Sequence, residues 1–126
     1  MDKFFNILLY IIGLLFLLMG LQWLIDPAAA AAGLGMSLLS GHGLSTQIGD
    51  LASFFLVVGI FTLCAAVKKD RVWLYTPIAL FGFAAFSRLV AFVFHDAALS
   101  TDKILVELVL AGFLLFLVKR KEDSFS

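Results

Sequence analysis

From Phe4 to Ile25 the chain runs for 22 positions without a charged side chain. No other feature narrows its possible folds as much. As an α-helix that run is about 33 Å long, enough to cross a hydrocarbon core of about 30 Å. In lipid the backbone has no water to bond to, so an apolar run of this length closes its hydrogen bonds within itself as a helix. Three further apolar runs follow, each interrupted by one ionisable residue: Ile48–Val67 holds Asp50, Pro77–Phe94 holds Arg88, and Ile104–Val118 holds Glu107. Trp73 and Tyr75 precede the third run as an interfacial aromatic belt would. The expected architecture is all-α, an integral membrane antiparallel four-helix bundle forming a single transmembrane domain over 1–126. Its spans are expected near 4–25, 48–67, 74–95 and 103–119.

Composition agrees. With 63% apolar residues, 14% charged and a mean hydropathy of +1.09, the chain has too few charges to solvate a water-soluble surface, which needs roughly a quarter. Nine basic and nine acidic residues cancel, which removes the basic footprint of a nucleic-acid binder. One cysteine, Cys64, excludes an internal disulfide and any multi-cysteine metal site.

The connections carry their own signals. Asp26-Pro27 ends the first run and starts another helix, because aspartate caps helix N-termini and proline suits the first helical position. The alanines 28–32 behind it are too few to cross a bilayer, so a short interfacial helix is expected there. Ser40-Gly41-His42-Gly43 reads as a turn. Thr76-Pro77 reads as the start of the third span, with a proline kink if the helix begins a turn earlier. A secretory signal peptide cleaved after the alanines is the competing reading of the start, but 22 apolar residues exceed the roughly 7 to 15 of a signal core. Seven of the nine basic residues (Lys3, Lys68, Lys69, Arg71, Lys119, Arg120, Lys121) fall on one side of the expected spans. By the positive-inside tendency both termini face the cytoplasm, in a multi-pass protein of a bacterial inner (plasma) membrane.

Gly20-Leu-Gln-Trp-Leu-Ile-Asp-Pro27 at the close of the first span, Gly33-Leu-Gly35 after the alanines, Gly49-Asp50-Leu-Ala-Ser-Phe-Phe55 with Gly59 in the second, and Ser87-Arg88 in the third carry a resemblance. In these segments the chain resembles an uncharacterised bacterial family of small four-helix membrane proteins, the domain-of-unknown-function family numbered 4345. That resemblance implies the bundle and the bacterial membrane but no activity. In layout alone the chain is also similar, more distantly, to small DoxX-like membrane proteins, some of which are linked to redox enzymes.

Ionisable groups inside a membrane face other helices or water and find partners. Arg88 lies roughly 9 Å below Phe94, Asp50 roughly 3 Å below Ile48 and Glu107 roughly 4.5 Å below Ile104, so all three are placed in the outer half. Ala84, Arg88, Ala91 and His95 share one helical stripe whose small residues admit a neighbouring helix. An Asp50/Arg88/Glu107 cluster is expected, with Gln22, Ser53 and Ser87 as further hydrogen-bonding groups. Side chains tilt toward their helix N-terminus, which sends Arg88 inward and the carboxylates outward, so the arginine has to climb to meet them. The plain reading is an ion pair that fixes helix register. The sharper one is a site for a lipid or quinone-like amphiphile with an anionic or carbonyl head, its tail among the 14 phenylalanines.

His42, His95, Asp96, Asp26 and Asp102 share the outer side but lack metal-binding spacing. Cys64 lies across the membrane from both histidines, which excludes a Cys/His nucleophile pair. No catalytic set, cofactor or metal site is expected. Tyr10 is expected to bond Thr62 or a backbone carbonyl, and Gly13 and Gly20 to pack a neighbouring helix. Functionally the sequence favours a non-enzymatic accessory or lipid- or amphiphile-binding membrane protein, in a larger membrane complex or as a homo-oligomer. The alternative is a membrane redox enzyme or isomerase acting on a quinone-like or polyprenoid substrate, with Arg88 polarising a carbonyl while Asp50 or Glu107 moves a proton.

Overall fold

The computed structural model describes the backbone of residues 2–125 and the side chains of residues 3–120; Lys121 of the basic cluster falls outside the described side chains. Among these residues helix is the sole regular structure, joined by short irregular connections and without strands. The helices are α1 (Asp2–Ile25), α2 (Pro27–Gly33), α3 (Gly41–Lys68), α4 (Tyr75–Phe94), preceded by a 3-10 turn over Arg71–Leu74, and α5 (Thr101–Phe125). Three stretches are long and apolar enough to cross a membrane: Lys3–Ile25, Gly41–Lys68, and Arg71–Phe94, which joins the 3-10 turn to α4. The fourth expected span is weaker. In α5 Asp102, Lys103 and Glu107 charge the first two turns and Lys119-Arg120 close the apolar stretch, leaving residues 104–118, about 22 Å of helix, interrupted by Glu107.

The chain divides into two compact units, 1–69 and 70–126. The first is a hairpin of α1 on α3, with α2 packed against α1. Its seam alternates large and absent side chains. Leu9, Gly13, Phe16, Gly20 and Trp23 are the buried residues of α1, at steps of four and three, the spacing of a helix packed along one narrow stripe. Ala52, Phe55, Gly59, Thr62 and Ala66 answer on α3 at steps of three and four. Gly13 lies against Leu63 and Gly20 against Leu56. Seven residues forward on one helix thus correspond to seven back on the other, so the pair is antiparallel. Midway, a Cβ on Gly59 would sit 2.5 Å from the Leu17 nitrogen and 2.8 Å from the Gly13 carbonyl oxygen. The obstacle is backbone, so only glycine fits and the two main chains touch. Phe16 and Phe55 stack beside this contact with centroids 5.9 Å apart.

The connection from α1 to α3 is built from caps. The Asp26 carboxylate accepts from the Ala29 amide at 3.3 Å, with Pro27 opening α2. Two bonds, Met36 N to Ala31 O and Gly35 N to Ala32 O, close the helix, with Gly35 at φ +70; this is a Schellman ending. The expected turn at Ser40-Gly41-His42-Gly43 is instead the first turn of α3, entered through Gly41 at φ +56. Gln47 explains the difference. Nearly buried in the second turn of α3, it accepts from the Leu39 amide at 2.9 Å and donates to the Ser37 carbonyl at 3.1 Å. One side chain thereby satisfies two main-chain groups of the connection and holds it across the start of the helix.

In the second unit α4 packs on α5, and the 3-10 turn touches both. Its aspartate cap, Asp70, accepts from Val72 N. Pro77 stands in the first turn of α4 directly behind the 3-10 turn, so the helical stretch begins a turn before the proline, the second of the two starts expected from the sequence. Leu74, Pro77, Phe81 and Ala85 form the buried stripe of this stretch, and Glu107, Leu114, Leu117 and Val118 that of α5.

Candidate functional site

Arg88 and Glu107 meet in the second unit. The arginine Nε donates to Glu107 Oε1 at 2.9 Å. This contact sets the register of the unit: seven residues back on α4 is Phe81 and seven forward on α5 is Leu114, both buried. Eleven residues away the same rule pairs the levels of Pro77 and Val118, again buried. Sequence therefore places the two charges on the faces that the apolar residues turn toward each other.

The two ends of the pair differ in environment. The Glu107 side chain is 11% exposed, whereas that of Arg88 is 36% exposed. A guanidinium carries five N–H donors, and among the described residues the arginine makes a single hydrogen bond, through Nε. The two terminal amino groups make no hydrogen bond among the described residues. Contact through Nε, partway along the side chain, also answers the tilt of the two side chains: the arginine reaches the carboxylate sideways and need not extend its full length. One basic and one acidic group in contact make the pair neutral overall. Arg88 and Glu107 each stand six residues from the loop that joins their helices, roughly 9 Å along the axis.

Of the other residues singled out by sequence, none bonds to the pair among the described residues. Ser87 is exposed on α4 beside Arg88. Asp50, Gln22 and Ser53 belong to the first unit and are exposed, and Asp50 makes no ion pair among the described residues. The contact of Gly20 with Leu56 puts Asp50 level with Asp26, the residue that ends α1. The first ten residues of α3 therefore extend past the end of α1, and Asp50 stands more than two turns inside its own helix. Tyr10 and Thr62 do not bond. Tyr10 is exposed and the fully buried Thr62 Oγ1 has no partner, because the glycine contacts bring the main chains together and leave the phenol outside the seam. Among the described residues no three of His, Cys, Asp or Glu are grouped to hold a metal. Lys103 and Asp102, 3.8 Å apart, are chain neighbours whose exposed contact contributes little. Gln47 was not legible as a special residue: a glutamine in a polar stretch carries no signal of the backbone it will bond.

No protein-family model matches the chain, and neither a curated protein nor a solved structure matches it.

Proposed function

We propose that the chain is a four-span protein of a bacterial inner membrane, both termini cytoplasmic, that binds a membrane-resident amphiphile at Arg88 without catalysing a reaction on it, as an accessory component. The observation that carries the reading is the Arg88–Glu107 pair: a guanidinium fixed below the end of an apolar helix by one nitrogen, with its terminal donors outside the contact. Exposed apolar side chains surround it on α4, among them Leu89 and Phe92, and suit an acyl or prenyl tail. Pairing also supports α5 as the fourth span, since a carboxylate matched by a cation is far less costly to insert than a lone one. The resemblance to the uncharacterised four-helix family is part of this proposal and rests on the Gly20–Pro27, Gly49–Phe55 and Ser87-Arg88 segments. The alternative, a redox enzyme or isomerase, would use Arg88 to polarise a carbonyl and Glu107, which bonds it, to move a proton.

Native mass spectrometry of protein extracted in mild detergent tests the reading. A retained small amphiphile, lost from an Arg88→Met/Glu107→Met variant that still folds, is the expected result. A protein partner without any amphiphile would leave the accessory role alone standing, and a bare monomer would overturn both parts.

A further inference from the structure

The charge state and depth of the pair bear on what the site can accept. An anionic head approaching the terminal nitrogens of Arg88 would be drawn by the guanidinium and repelled by Glu107 from a slightly greater distance. It would also surrender its hydration roughly 9 Å from the helix ends. An uncharged acceptor pays no such desolvation, leaves the pair neutral, and satisfies donors that a low-dielectric surrounding makes expensive to leave unbonded. The terminal amino groups hold N–H donors that bond nothing among the described residues, and a carbonyl oxygen, with two lone pairs and no charge, accepts from them. Glu107, fixed on Nε, holds the plane of the guanidinium in place.

We propose that Arg88, balanced by Glu107, is a hydrogen-bonding site for the uncharged carbonyl group of an amphiphile, discriminating against anionic heads. This deepens the amphiphile-binding reading and rests on it. Two sources offer the chemistry: the ester carbonyls of ordinary bilayer phospholipid, and a separate carbonyl-bearing amphiphile such as a long-chain ketone or quinone.

The test uses the full chain in discs of ether-linked phosphatidylcholine, which has no ester carbonyl. The probes are a long-chain methyl ketone labelled with carbon-13 at the carbonyl, followed by infrared spectroscopy, and hexadecyl phosphate as the anionic competitor. Expected is a carbonyl band shifted to lower frequency in proportion to protein, and absent from Arg88→Met/Glu107→Met at unchanged helicity. Removing both charges keeps the variant free of a stranded carboxylate. The ketone is expected to bind at least about tenfold more tightly than the alkyl phosphate, a difference of about 1.4 kcal/mol. Repeating the measurement in ester-linked lipid separates the sources: loss of the shifted ketone band assigns the site to bilayer esters, and its persistence to a separate amphiphile. Arg88-dependent binding that favours the phosphate would overturn the carbonyl assignment and leave amphiphile binding intact. Absence of Arg88-dependent binding by either probe, in folded protein, would overturn both.

Discussion

At the scale of single residues, the buried carboxylate of Glu107 ties stability to Arg88. Removing one partner of a buried pair typically costs about 3 to 5 kcal/mol because the other charge is stranded. Arg88→Leu is expected near the lower end, about 3 kcal/mol, since the arginine is 36% exposed and only the carboxylate side of the pair is buried. Arg88→Leu with Glu107→Leu should recover most of that loss, because an apolar replacement of the whole pair is often neutral. Asp50→Asn should change stability by less than about 0.5 kcal/mol, the usual range for an exposed site without a partner. Unfolding titrations in mixed micelles read all three. A loss from Asp50→Asn as large as that from Arg88→Leu would show that Asp50 acts with the pair. Thr62 makes the opposite prediction. Its Oγ1 is buried without a hydrogen bond, so Thr62→Val removes an unsatisfied hydroxyl at nearly constant shape. It should raise stability by about 1 kcal/mol in the same titration. A fall would mean that the hydroxyl has an acceptor in the membrane.

At the scale of elements, the hairpin of α1 and α3 depends on the absence of one side chain. Gly59→Ala puts a methyl group against the Leu17 and Gly13 main chains, and overpacking of this kind costs about 1 to 3 kcal/mol or forces the helices apart. Gly49→Ala, ten residues earlier on the same helix with nothing within 4 Å of the added carbon, should be neutral or stabilising by up to about 1 kcal/mol from helix propensity. Thermal unfolding of the two variants separates packing from propensity, and equal effects would deny the close contact. Elements of this kind were unevenly legible. The apolar runs can be read along the chain because hydropathy is a local property, and the Asp26-Pro27 start of α2 because capping is local too. Gly13 and Gly20 stand out as a small-residue stripe, but nothing near them in sequence specifies that Gly59 comes opposite. The beginning of α3 was hidden because Gly41 and Gly43 carry turn chemistry, and the glutamine that draws them into a helix sits further along. Arg88, Asp50 and Glu107 look alike by depth; register and face, which arise only when helices pack, bring Glu107 onto Arg88.

At the scale of the whole molecule, the number of crossings turns on α5. Three helices are long and apolar enough to cross unaided, and with the amino terminus inside, three crossings would leave the carboxyl terminus outside. The apolar stretch of α5 from Ile104 to Val118 is about 22 Å long, short of a core of about 30 Å. Two features extend its reach. Lys103 and Lys119 flank it, and their long side chains can carry charge to the interfaces while the helix between them stays in hydrocarbon, so the stretch from 103 to 119 falls at the short end of spanning helices. Glu107, the remaining charge in that stretch, is matched by Arg88. Lys119, Arg120 and Lys121 then add to the same side as Lys68, Lys69 and Arg71, as the positive-inside tendency requires of a fourth crossing. In a Cys64→Ala background, a cysteine replacing Ser124 should therefore react with an impermeant maleimide only after the cytoplasmic face is opened, whereas one replacing Ser45 should react from the outside in intact cells. Labelling of position 124 from outside would make the protein a three-span one, with α5 on the outer surface and the Arg88–Glu107 pair no longer a neutralising device for insertion.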